Sequence, residues 1–241
     1  MPRAGSSLPV VVVFPILAGS HVVSEGVARV LVQRGFAVLR LERQALELAT
    51  AADPRIVSDT FRATLDDACR LIGWLSAQPR IDAGRVAAAG VSLGGIMAAS
   101  LVGMDPRVSA GFFVMAGGGL AEILYDSEEH PVERFRDRIL DTEGLATRAD
   151  FVERMRPLTR PVDPLTWAGP VDPARVLLVS GRFDRVIPPA RSRALWEALH
   201  RPRWVRLPVG HYQLLPFFFW AIDRGADHLD RVFRSHEARG T

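Results

Sequence analysis

A serine flanked at two residues on either side by glycine is the first chemical signal in this chain: Gly90-Val91-Ser92-Leu93-Gly94. A short apolar run, Arg85-Val86-Ala87-Ala88-Ala89, leads into it, and a small-residue stretch, Gly95-Ile96-Met97-Ala98-Ala99-Ser100-Leu101-Val102, leads out. That order reads as strand, sharp turn and helix. A turn this tight strains its central residue and leaves no room for bulk two positions before or after it, a demand that glycine meets. Ser92 then stands exposed above a sheet edge. Because a serine hydroxyl is a poor nucleophile at neutral pH, chemistry there needs a base within hydrogen-bond reach and a carboxylate to orient that base.

The elements that must position such a group alternate along the chain. Pro9 to Ile16 is apolar and β-branched on consecutive residues, as expected of a strand buried on both faces of a parallel sheet. Val22 to Arg34 has helical spacing, Gly35 closes it, and Phe36 to Leu41 reads as a second strand. From Glu42 to Pro54 the signal is mixed. A long helix capped by Ser58 or Asp59 then runs to about Gln78, with Phe61, Leu65, Ala68, Ile72 and Leu75 on one face. Ile81-Asp82-Ala83-Gly84 reads as a turn, and strands are expected at Arg107 to Ala116, Arg175 to Ser180 and Trp204 to Leu207. A helix is expected at Pro188 to Leu199, and one or two closing helices at Tyr212 to Phe233. Repeated alternation implies right-handed crossovers and an α/β fold with a mostly parallel sheet of about six strands. Residues 117–170 interrupt it with charged helical stretches at Glu128 to Leu140 and Thr147 to Arg156, then a proline-rich segment. We read 1–241 as one domain with this helical insertion inside it, either a lid or a surface decoration.

Composition narrows the chemistry. The chain has 241 residues, 48% hydrophobic and 24% charged, with a formal charge of +3. Lysine does not occur; all 30 cationic side chains are arginine. That excludes a phosphate loop ending in Lys-Ser or Lys-Thr, a pyridoxal Schiff base and a lysine general base. The arginines are interleaved with Asp and Glu, so the footprint of a nucleic-acid binder is missing. Cys69 is the single cysteine, which excludes an internal disulfide and a cysteine-rich metal site; its helical face makes it a small core residue. No metal-ligand spacing occurs, and we expect no cofactor. The segment from Arg3 to Ser20 has some look of a signal peptide, but Pro9 and Pro15 interrupt it and its removal would delete a strand. We therefore expect a cytoplasmic protein without stable membrane insertion; the oligomeric state is left open.

The strand-elbow-helix segment resembles the α/β-hydrolase family, whose nucleophile elbow has the form G-x-S-x-G. Ser180-Gly181-Arg182-Phe183-Asp184-Arg185-Val186-Ile187-Pro188 is similar to the family's G-x-x-D-x-x-[VI]-P acid loop, and Gly210-His211 stands where the family carries Gly-His after the last strand. The resemblance implies a minimal version of the fold that begins at the family's third strand. It also implies Ser92 as nucleophile, His211 as base and Asp184 as acid, with Asp163 and Asp172 in reserve. Leu93 N–H would supply one oxyanion donor and Ile16 or Leu17 the other, although Phe14-Pro15-Ile16-Leu17-Ala18-Gly19-Ser20-His21 lacks the His-Gly of many members. His21 lines the acyl pocket or caps the next helix.

The phrase from Ala77-Gln78-Pro79 through Gly94-Gly95 resembles dienelactone-hydrolase-like and prolyl-peptidase-like members, with serine where dienelactone hydrolases place cysteine. The implied activity is serine hydrolysis of a small or medium carboxylic ester, or of a lactone or amide, with a small-molecule substrate. Acyl transfer or perhydrolysis with the same triad, and a non-catalytic ligand-binding member of the fold, are the alternatives. Gly117-Gly118-Gly119 does not complete a dinucleotide fingerprint. Phe217-Phe218-Phe219-Trp220 is expected to pack the closing helix on the sheet and in part to wall the site. Arg182 and Arg185 are solvated neighbours of the acid or attract a carboxylate-bearing substrate.

Overall fold

The computed structural model describes residues 7–17, 21–42 and 46–237. Six strands form one parallel sheet: β1 (Leu8–Val13), β2 (Ala37–Arg40), β3 (Ile81–Val91), β4 (Val108–Val114), β5 (Val176–Gly181) and β6 (Arg203–Leu207). Their spatial order is β2-β1-β3-β4-β5-β6. The four inner strands carry the near-continuous apolar runs and are buried, whereas β2 and β6 at the edges are only half-buried.

Because side chains alternate along a strand, each inner strand feeds two cores. Val11, Val13, Ala87, Ala89, Phe112 and Val114 face one side, where α1 (His21–Gln33) and α9 (Phe218–Glu237) cover them. Val10, Val12, Val86, Ala88, Phe113 and Leu178 face the other, under α2 (Ile56–Ser76), α3 (Leu93–Met104) and α8 (Pro189–Ala198). Helix α3 is buried from Gly94 to Val102 and is apolar all round, as a helix enclosed by protein must be.

The insertion is longer in regular structure than its charge pattern suggested. It contains α4 (Leu120–Asp126), α5 (His130–Thr142), α6 (Arg148–Thr159), a 3-10 turn at Arg160–Val162 and the four-residue α7 (Pro164–Trp167). Phe135, Ile139, Phe151 and Met155 are fully buried and join the core that contains α2 and α3. The buried hydroxyl of Ser100 on α3 donates to the carbonyl of Val162 at 2.8 Å.

Two local expectations are corrected. Neither Ser58 nor Asp59 caps α2: the helix starts at Ile56, the Ser58 hydroxyl donates to the Arg55 carbonyl, and Asp59 lies inside the first turn. The segment Ile81 to Gly84 is the opening of β3. Asp82 Oδ1 accepts the Gly84 N–H at 2.9 Å, so the turn chemistry bends the backbone within a strand. The register between β1 and β3 shifts across Pro9, which has no N–H to offer the ladder. In the aromatic run Phe218 packs the closing helix on the sheet as expected, while Phe217 at the end of a 3-10 turn and Phe219 and Trp220 on α9 are exposed. Cys69 is half-buried beside the core, and burial first, then the Asp105 carboxylate, push its thiol up to about 11. The expectation for Ala18 to Ser20 and part of the mixed stretch after Glu42 lie outside the described residues. Among the described residues no helix is long and apolar enough to cross a membrane.

His228 on α9 is buried, and its Nε2 has no hydrogen-bond partner among the described residues. Burial first, then the nearby Arg231 and Arg203 guanidiniums, lower its pKa; a hydrogen bond with the Arg175 backbone opposes them. The unfolded chain therefore binds a proton at a higher pH than the folded one. Unfolding free energy should fall as pH drops below about 6.5, and His228→Leu should flatten that part of a urea-denaturation profile against pH.

Candidate active site

Ser92 sits between β3 and α3 with φ 56° and ψ −124°, outside the ordinary regions for a residue with a side chain. The elbow is held by contacts that forbid a Cβ on either side. A Cβ on Gly90 would lie 2.2 Å from the Gly94 carbonyl, and one on Gly94 would lie 2.6 Å from the Phe14 carbonyl oxygen. Ser92 N–H donates to the Val114 carbonyl at 2.8 Å, fixing the turn to β4.

The loops after β5 and β6 bring two more groups to this turn. His211 Nε2 lies 2.9 Å from Ser92 Oγ, and His211 Nδ1 lies 2.8 Å from Asp184 Oδ2. The other Asp184 oxygen accepts the N–H groups of Val186 and Ile187 at 2.9 and 2.8 Å. That carboxylate is buried and fully engaged, so its orientation is fixed by backbone donors. Arg182 N–H donates to Leu207 O at 2.8 Å and Phe183 N–H to Val209 O at 3.1 Å, which stitches the acid loop to the histidine loop. Gly210 N–H donates to Gln213 Oε1 at 2.6 Å.

The reserve acids are used elsewhere. Asp163 accepts the N–H groups of Gly119, Leu120 and Leu165, so it ties the triple glycine to α7, and Asp172 caps the 3-10 turn Pro173–Arg175. His21 is the exposed first residue of α1, with Nδ1 3.9 Å from Glu42. Arg185 pairs with Glu128 at 3.3 Å, and Arg182 is exposed. Among the described residues no group of three or more His, Cys, Asp or Glu is placed to hold a metal ion.

Ser92 and His211 open onto a cavity of about 180 Å³. Ile16, Leu17 and Leu93 line it beside the serine. Its other walls include Leu46 and Leu48 from the mixed stretch, Ile123 and Leu124 from α4, Val132 from α5 and Phe218 from α9. Sequence reasoning missed Leu46 and Leu48, whose spacing of two was the available signal. It also missed Glu129 and Tyr212, which line the cavity and hydrogen-bond to each other, the tyrosine hydroxyl donating to the carboxylate. Burial first, then that carboxylate, hold the Tyr212 hydroxyl well above its usual range, so it stays a donor.

The model of the prolyl oligopeptidase family matches residues 28–239, a span that includes Ser92, Asp184 and His211. The chain belongs to the prolyl oligopeptidase family. Its α/β-hydrolase fold and family membership make it a serine hydrolase. An acetyl xylan esterase from Paenibacillus sp. R4 superposes with a TM-score of 0.68 at 20% identity, covering 93% of this chain and 75% of the other. Puromycin hydrolase gives 0.66 at 21% identity, with 97% of this chain and 35% of that one covered. An acylaminoacyl peptidase from Pyrococcus horikoshii gives 0.63 at 15% identity, with 95% and 37% covered. The chain thus spans about a third of the length of those two hydrolases. No curated protein sequence matches it.

The elbow of this prolyl oligopeptidase family member rests on two missing side chains. Gly90→Ala should lower the unfolding free energy by about 3 kcal/mol or more, because the new methyl meets rigid backbone rather than a side chain that can move. The urea midpoint, compared with that of the native chain, reads the loss.

Proposed function

We propose that the protein hydrolyses a carboxylic ester of small or medium acyl size through an acyl-enzyme formed on Ser92. The observation that carries this reading is the hydrogen-bonded series Ser92 Oγ, His211 Nε2, His211 Nδ1 and Asp184 Oδ2, with steps of 2.9 and 2.8 Å. His211 takes the proton from Ser92 as Oγ attacks the ester carbonyl. Asp184 accepts the Nδ1–H and stabilises the imidazolium. The carbonyl oxygen becomes negative and is held by the N–H of Leu93, with a second donor at Ile16 or Leu17. His211 then gives its proton to the leaving alcohol, the carbonyl reforms and the acyl group remains on Ser92. Water repeats the sequence, losing a proton to His211, and the acid departs.

Pocket size supports a modest acyl group. An apolar cavity of about 150 Å³ takes a benzene ring, and the cavity here is about 180 Å³ with mostly aliphatic walls. The insertion roofs it through Leu120, Ile123, Leu124 and Val132, and we assign that segment the shaping of the acyl site. Esterases and peptidases both occur among the structural neighbours, and an acyl-enzyme on serine serves both.

A fluorophosphonate probe should label the native protein and leave Ser92→Ala unlabelled. Turnover of p-nitrophenyl esters should peak at short or medium chains and disappear in Ser92→Ala. Asp184→Asn should lower kcat by on the order of 10³–10⁴-fold, since the amide cannot hold the required tautomer of His211. Undiminished labelling of Ser92→Ala would sink the assignment of the nucleophile.

A further inference from the structure

Five polar residues line the cavity: Ser92, Ser127, Glu129, His211 and Tyr212. Four of these have their polar atoms engaged with one another or with nearby backbone. Ser92 and His211 hold each other, the Ser127 hydroxyl accepts the Glu129 N–H at 3.2 Å, and Tyr212 donates to one Glu129 oxygen. Among the described residues the Glu129 carboxylate is engaged through one oxygen only, by Tyr212. It stands at the N-cap position of α5 yet makes no capping bond with its side chain. It has no ion pair among the described residues, because the neighbouring Arg185 is taken by Glu128. Among the described residues no arginine lines the cavity. A half-buried carboxylate beside aliphatic walls finds its strongest partner in a cation, since charge-assisted hydrogen bonds are stronger than neutral ones.

We propose that Glu129 receives a protonated amine on the substrate, so that the preferred substrate combines an apolar acyl body with an alkylammonium group. The proposal rests on the reading of Ser92 as nucleophile. The aliphatic walls take the hydrocarbon while Glu129 takes the charge through the oxygen that Tyr212 does not engage. Glu129 is thereby a specificity residue, with no part in proton transfer.

Two matched pairs of esters test this at pH 7. They are the p-nitrophenyl esters of leucine and 4-methylpentanoate, and those of 6-aminohexanoate and heptanoate. The amine-bearing member of at least one pair should be favoured about 10–100-fold in kcat/KM, the range expected of one charge-assisted bond. Glu129→Gln, which keeps an acceptor for Tyr212, should abolish that preference by lowering the amine-bearing member at least tenfold more than the neutral one. Tyr212→Phe should retain it. Hexylammonium should also protect Ser92 from fluorophosphonate labelling better than hexanol does, and lose that advantage in Glu129→Gln. The proposal is overturned if neither pair nor either protectant shows a preference for the amine. It is equally overturned if Glu129→Gln depresses both members of a pair alike, since the residue would then only support Tyr212. Absence of labelling in the native protein would instead remove the nucleophile reading beneath it.

Discussion

Everything chemical in this molecule depends on how closely the backbone approaches itself around Ser92. Its φ of 56° is tolerated because Gly90 and Gly94 meet without side chains, and because the carbonyls of Phe14 and Pro15 press directly on Gly94. That second contact does two things at once. It stabilises the elbow, and it sets the loop carrying Ile16 and Leu17 beside the serine, where their lining of the cavity follows. A residue with a Cβ at either glycine would push the two apart. The strain at the serine is thus held by the packing of three segments distant in sequence.

Sheet order explains why those segments meet. β1 lies beside β3, and β3 beside β4, so the loops after β1, β3 and β4 open at the same carboxyl edge. Ligand sites in open parallel sheets form there, because every strand end delivers its loop to one crevice. β5 and β6 add Asp184 and His211 from the same edge, and backbone bonds from Arg182 and Phe183 to Leu207 and Val209 keep those loops in register. The spacing of Ser92, His211 and Asp184 therefore depends on paired backbone more than on the side chains themselves.

This explains what was legible in the sequence. The apolar runs of β1, β3, β4 and β5, the glycines of the elbow, and Asp184 and His211 after strands are local signals of strong backbone demands, and the structure places all of them as those signals imply. Boundaries were less legible where two local preferences compete, as at Asp82, whose turn chemistry survives as a bend inside β3. The cavity was largely hidden. Val57, Ile123 and Val132 come from three places in the chain, and nothing in their own neighbourhoods distinguishes a cavity wall from ordinary core. Glu129 was hidden for a related reason: in a charged helical segment it reads as one more solvated acid, and its position matters only once Tyr212 stands opposite.

The insertion has a larger part than its place between two strands suggests. Phe135, Ile139, Phe151 and Met155 anchor it in the same core as α2 and α3, so it is packed as firmly as the elements that hold Ser92. At its other end it directly touches the loops that carry Asp184 and His211. Glu128 N–H donates to the Arg185 carbonyl at 2.9 Å beside the acid, and Glu129 accepts from Tyr212 next to the histidine. The exposed ion pair between Arg185 and Glu128 adds little, as surface pairs do. The backbone bond and the buried aromatics are the stronger ties. A segment tied in this way cannot change the shape of the cavity without also moving the supports of Asp184 and His211. Changes in this insertion should therefore alter the cavity and the spacing of Ser92, His211 and Asp184 together, and a surface loop free of such ties would alter neither.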